Sequence, residues 1–89
     1  MAWTIEYLSA SRKQLKRFDP LVRKRIVSFM GERVATSIDP RSLGEPLAGE
    51  WKGLWRYRVG DFRIICKIEA EKVVVQVVKV GHRSSVYER

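Results

Sequence analysis

The sequence predicts an α+β fold, an antiparallel four-stranded sheet in the order β-α-α-β-β-β with two N-terminal helices packed on one face. Three observations carry this. Apolar residues alternate with a period of two near both ends of the chain, they recur at helical spacing in the stretch between, and glycine or proline punctuates the changeovers. At 89 residues the chain is read as a single domain, residues 1–89. Its core is modest, because a chain this short buries only roughly two-thirds of the surface it exposes when unfolded.

Residues 2–8, AWTIEYL, set Trp3, Ile5 and Tyr7 on one side and Thr4 and Glu6 on the other, as a half-buried strand does. From Ser9 the pattern changes. SASRKQLKRF offers serine as an N-cap, good helix formers, and Leu15 and Phe18 at helical spacing, so it reads as a short basic helix. Asp19 then caps a second helix with Pro20 at its first position; it is read through Ile38, with Val22, Ile26, Phe29, Met30 and Val34 on one face. Residues 39–53 hold two prolines and three glycines and read as an irregular connection, tacked down by Leu43, Leu47 and Trp51. LWRYRV (54–59) and FRIICKIE (62–69) form a hairpin about Gly60-Asp61. After a turn at Ala70-Glu71, KVVVQVVKV (72–80) is a valine-rich central strand.

Charge narrows the function. Eighteen Lys and Arg against ten Asp and Glu give a net +8 and a pI near 10.2, which draws in polyanions, either nucleic acid or an acidic protein. No apolar run approaches the roughly 18 residues that cross a bilayer, and the start lacks the basic and apolar segments of a secretory signal. A cytoplasmic location without membrane association is expected. Cys66 is the single cysteine, so no internal disulfide forms, and no Cys/His cluster has zinc-site spacing; no metal or cofactor is expected.

With Tyr57, Phe62, Ile64 and Cys66 turned toward the helices, alternation puts Arg56, Arg58, Arg63 and Lys67 on the opposite face. Like charges on paired strands repel, so such an array marks an anion site more readily than a folding device. The stretch after Val80, GHRSSVY, adds His82, Arg83 and Tyr87 at one end of the sheet. Paired carboxylates, a G-x-S-x-G elbow and a glycine-rich phosphate loop are absent from the sequence. A metal-free reaction on RNA remains, since RNA carries its own nucleophile in the 2′-hydroxyl. Arginine suits stabilisation of the phosphorane charge; His, or a Lys or Tyr of shifted pKa, suits the proton transfers.

The pieces YRVGDFRII and VGHRSSVY, within LAGEWKGLWRYRVGDFRIICKI and VVVQVVKVGHRSSVY, resemble the RelE/ParE superfamily of bacterial toxins, the toxin halves of type II toxin–antitoxin modules. The likeness in element order covers nearly the whole chain. It is most similar to the RelE branch, ribosome-dependent mRNA interferases that enter the ribosomal A site and cut the codon presented there. The resemblance implies a RelE-like fold, Arg63 against the scissile phosphate, Arg83 as a second phosphate or leaving-group contact, and Tyr87 stacking on or activating the substrate. Arg56 falls where RelE toxins often carry lysine; an arginine holds its proton too firmly to be a base, which leaves His82 and Lys52 as candidates for that role. Lys52, Arg58 and Lys67 are expected to contact RNA. The implied partners are the ribosome, mRNA and an acidic RelB-like antitoxin in a hetero-oligomer. The alternative on the same fold is a ParE-like toxin that binds DNA gyrase without hydrolysing anything; the presence of Arg63, Arg83 and Tyr87 favours the nuclease.

Overall fold

The computed structural model describes residues 2–88. Strand β1 is Thr4–Tyr7, α1 is Ser9–Arg17 and α2 is Pro20–Ser28, continued by a π-helical turn at Phe29–Val34. Strands β2 (Glu45–Pro46), β3 (Trp55–Val59), β4 (Phe62–Glu69) and β5 (Val74–His82) complete the order. Short 3₁₀ turns at Pro40–Leu43, Gly49–Trp51 and Ala70–Lys72 fill the connections.

The α+β architecture and the hairpin meander agree with the sequence reading, but the sheet has five strands, ordered β1-β5-β4-β3-β2, and β1 runs parallel to β5. Side-chain alternation is the same in parallel and antiparallel strands, so it assigns faces and says nothing of direction. β4 already has β3 and β5 on its two sides. The first strand therefore joins the free edge of β5, with Ile5 opposite Val75 and Tyr7 opposite Val77. The additional strand, β2, is a two-residue edge from the segment expected to be irregular, pairing Glu45 with Arg56.

Asp19 caps α2 as expected: its Oδ1 accepts the Leu21 N–H at 2.8 Å, with Pro20 opening the helix. Ser9 does not cap α1. The cap position falls on Leu8, and Ser11 Oγ donates to the Leu8 carbonyl at 2.8 Å instead. The second helix stops short of Ile38, which is fully exposed; the Ala35 N–H reaches back to the Met30 carbonyl, the five-residue spacing of a π-turn. Residues spaced by four drift round an α-helix, and the wider turn winds that drift back. Ile26, Met30 and Val34 thus all reach the sheet, and all are fully buried.

These residues meet Tyr57, Ile64, Cys66, Val75, Val77 and Val80 from one face of the sheet to form the core. Burial pushes the Cys66 thiol up, far from the range in which it would be a nucleophile. Tyr57 is buried too, and its hydroxyl donates to the Pro40 carbonyl at 2.8 Å, which ties down the connection leading to β2. Gly44 lies in that connection. A Cβ there would stand 2.9 Å from the Arg56 carbonyl oxygen and 3.0 Å from the Tyr57 ring, so only glycine lets the chain approach β3 this closely.

Both the cap and the close approach can be tested by stability. Asp19→Ala removes the α2 cap and should lower unfolding free energy by about 0.5–2 kcal/mol in urea titration. Gly44→Ala forces backbone apart at β2 and should cost about 1–3 kcal/mol in the same measurement; an unchanged midpoint would show that β2 is not held by this contact.

Candidate functional site

The sheet face away from the helices carries one cross-strand row: Glu45 on β2, Arg56 on β3, Ile65 on β4 and Lys79 on β5. Ile65 is fully buried although it lies outside the helix-packed core. Its cover comes from two segments outside the sheet. Trp51 and Tyr87 meet edge to face with ring centroids 5.8 Å apart; Arg56 Nη1 donates to the Tyr87 hydroxyl at 3.1 Å, and the Lys79 ammonium stands 5.5 Å from the centre of the Trp51 ring. The aromatic pair therefore spans the row from Arg56 to Lys79, above Ile65.

Tyr87 reaches this position because the chain folds back after β5. Val86 is buried with its Cα and Cβ 3.3 Å from where a Cβ on Gly81 would be, so glycine at 81 leaves room for the reversal. The turn is held by the Ser85 and Val86 N–H groups, which donate to the His82 carbonyl at 3.0 and 2.9 Å. The Ser84 N–H adds a bond to His82 Nδ1 at 3.1 Å, with Ser84 Oγ 2.8 Å from the same nitrogen. A backbone N–H only donates, so Nδ1 accepts and the proton of the neutral ring sits on Nε2.

Arg56 is more enclosed than Arg58 and Arg83, whose side chains are 58% and 63% exposed. Its side chain is 21% exposed, and it donates to Tyr87 and, through Nη2, to Glu45 Oε2 at 2.9 Å. The hydrogen bond to Tyr87, more than the nearby Glu45 charge, raises its pKa further, and burial opposes this without cancelling it. Arg56 is a fixed cation here. Its Nε is buried with no hydrogen-bond partner, which leaves a donor unused at the centre of the site. Arg58 shares the same carboxylate, 3.4 Å from Glu45 Oε1.

Arg58 and Arg63 stand directly opposite one another on β3 and β4. Arg63 folds onto the hairpin turn, where Nη1 donates to the Gly60 and Phe62 carbonyls at 3.0 Å each. Arg83 reaches the same turn: its N–H donates to the Asp61 carbonyl at 2.8 Å and its Nε lies 3.7 Å from Asp61 Oδ1. The structure thus groups Arg58, Arg63 and Arg83 at the hairpin end, with Arg56 and Tyr87 about 7 Å further along the strands.

Other expected residues lie elsewhere. Lys52 is exposed just after the turn that carries Trp51. Lys67 points to the same face but pairs with Glu69 at 3.5 Å and lines a cleft with Arg41 and Lys72 toward the far end of the sheet. His82 is opposite Phe62, its ring edge to face with the Phe62 ring at 5.7 Å, on the helix side of the sheet. The cause is a β-bulge. Cys66 pairs with Val77 but Ile65 pairs with Lys79, so Val78 is an extra residue and everything after it changes face. Unbroken alternation from Val75 and Val77 would turn His82 to the arginine face and Lys79 away; the bulge reverses both.

Lys79 and Glu45 lie in the same row as Arg56, and sequence patterns do not reveal either. Regular alternation conceals Lys79, and a proline-bounded dipeptide gives no strand signal for Glu45. The positive charge is also less concentrated than the face suggests, since residues 9–34 alone hold eight Lys and Arg against two acids. Among the described residues no group of His, Cys, Asp and Glu is placed to hold a metal ion.

Comparison with known proteins gives these features a context. The family profile described as the ParE toxin of the type II toxin–antitoxin system parDE matches residues 5–87. Toxin RelG of Mycobacterium tuberculosis is 29% identical over 90 residues, which cover the whole of both chains. Among solved structures, a chain of the toxin–antitoxin complex RelBE2 of Mycobacterium tuberculosis superposes with a TM-score of 0.86 at 25% identity, covering 96% of this chain and 95% of that one. The RelB–RelE antitoxin–toxin complex of Methanococcus jannaschii gives 0.71 at 25% identity, covering 93% and 95%. A double mutant of Escherichia coli toxin RelE in the free state, at 24% identity over 98% and 92% of the two chains, shares the fold with a TM-score of 0.76. With a profile match over nearly its full length, the chain belongs to the ParE toxin family and is a type II toxin of the RelE/ParE superfamily.

Proposed function

We propose that this toxin is a ribosome-dependent mRNA endonuclease that cuts A-site codons by metal-free attack of the RNA 2′-hydroxyl on the adjacent phosphate, and so stops translation. The observation that carries the reading is the Tyr87 hydroxyl, held by Arg56 on an exposed face that also bears Arg58, Arg63 and Arg83. Guanidinium groups bind phosphate oxygens by two-point contacts and stabilise the extra charge of the phosphorane. Tyr87 and Trp51 offer ring faces and edges against which an unstacked base can lie. Lys52 and Arg58 flank the path of the strand, and Lys67 lies beyond it.

His82 has a different part in this reading. With Nδ1 engaged by Ser84 and its ring against Phe62, it shapes the turn that presents Tyr87 and does not move the substrate proton. The neighbouring RelB–RelE complexes support a RelB-like antitoxin as the partner that silences the toxin in a hetero-oligomer, and the net +8 charge of this chain suits an acidic one, acting in the cytoplasm where ribosomes translate. A second reading rests on the profile match, which is to ParE toxins: binding of DNA gyrase without catalysis.

Brief expression followed by mapping of mRNA 5′ ends, with gyrase supercoiling assayed in parallel, separates the two. Cuts within translated codons are expected, reduced about 10²–10³-fold by Arg83→Ala or Arg63→Ala, as for loss of one charge-stabilising donor. Intact mRNA with inhibited gyrase would sink the nuclease reading. The Glu45 carboxylate lies between Arg56 and Arg58, where an RNA phosphate would compete with it, so Glu45→Gln should tighten binding to single-stranded RNA. The plot of log K against log salt should steepen by about 0.7 for each additional phosphate that the protein neutralises. A slope equal to that of the parent protein would show that RNA does not compete with Glu45.

A further inference from the structure

We propose that Lys79 is the proton donor of this site, giving its ammonium proton to the 5′-oxygen that leaves when the RNA strand is cut. The inference rests on the nuclease reading and adds to it a residue that only the bulge brings to the arginine face.

Placement comes first. Lys79 ends the row that starts at Glu45 and Arg56, and its Nζ stands over the Trp51 ring, which meets the Tyr87 ring at a steep angle. It also donates to the carbonyl of Glu88, the residue after Tyr87. Both contacts hold the ammonium beside the tyrosine.

Chemistry sets Lys79 apart from the arginines and the histidine nearby. As the 2′-oxygen bonds to phosphorus, its proton passes to water. The bond from phosphorus to the 5′-oxygen breaks, its electron pair stays on that oxygen, and a proton must arrive there; the products are a 2′,3′-cyclic phosphate and a 5′-hydroxyl. Arg56, Arg58, Arg63 and Arg83 hold their protons too firmly to supply it. His82 is turned to the other face. A lysine ammonium can transfer its proton and recover one from solvent.

The surroundings hold the ammonium in place: the Trp51 ring and the Glu88 carbonyl are both groups that bind a cation. Arg56, Arg58, Lys67 and Arg83 each face a carboxylate, whereas Lys79 makes no ion pair with a described carboxylate. Its charge is thus directed at whatever lies against Trp51 and Tyr87.

The test replaces the bridging 5′-oxygen with sulfur at the mapped cut position of an mRNA in the ribosomal A site, because a thiolate leaves without a proton. Lys79→Met keeps the apolar stem over Trp51 and removes the ammonium. Lys79→Arg keeps the charge without a transferable proton, and serves if the methionine variant is poorly folded. Each variant is expected to lose about 10²–10⁴-fold on the oxygen substrate and to stay within about tenfold of the parent on the sulfur substrate. Equal losses on both substrates, or parental rates on the oxygen substrate, would overturn the assignment. If the parent protein cuts neither substrate, the nuclease reading falls, and this inference with it.

Discussion

The ladder between β4 and β5, and the single extra residue in it at Val78, sets the chemistry of both faces of this protein. Before the bulge, Val75 and Val77 turn inward and build the core with Ile26, Met30 and Val34. After it, Val80 turns inward as well, which regular alternation from Val77 would forbid. The core thereby takes in a third valine where α1 packs, and Gln14 Oε1 accepts the Val80 N–H at 2.7 Å, satisfying a strand edge that β1 is too short to reach. The same shift sends Lys79 to the arginine face and His82 to the helix face. Packing on one side of the sheet and charge on the other are one decision.

The arginine face is organised by the chain's own acids. Four like charges on adjacent strands would repel; Glu45 lies between Arg56 and Arg58, and Asp61 meets Arg83. Exposed pairs of this kind contribute little to stability. Their consequence is geometric, because each fixes a guanidinium in place. Arg56 is the strongest case: it is enclosed by Tyr87 and Glu45 and its charge is reinforced by the tyrosine, while Nε stays unsatisfied. A buried donor without a partner costs free energy, so Arg56 is held here at the expense of one unsatisfied N–H.

Much of the molecule is readable from residue patterns. Period-two runs mark β1, β3 and β4 to within a residue or two, Asp19-Pro20 marks the start of α2, and Gly60-Asp61 marks the hairpin. These signals are local: a cap, a turn or an alternation acts among residues close in sequence. The β2 strand and the cap of α1 escape such signals for a related reason. Glu45-Pro46 becomes a strand only because Gly44 lets it lie against Arg56, and Leu8 takes the cap position because β1 carries the chain that far before turning.

Composition and spacing alone established a small basic α+β chain with arginines on one side of a hairpin and a polar, tyrosine-bearing C-terminal stretch beside it. Those properties follow from side-chain periodicity, which is intrinsic to a strand or helix wherever it packs. The direction of β1, the face of His82 and Lys79, and the joining of Trp51 to Tyr87 over Ile65 belong to the folded molecule. Each depends on register between segments distant in the chain, and a one-residue slip reverses every side chain beyond it without altering any local pattern.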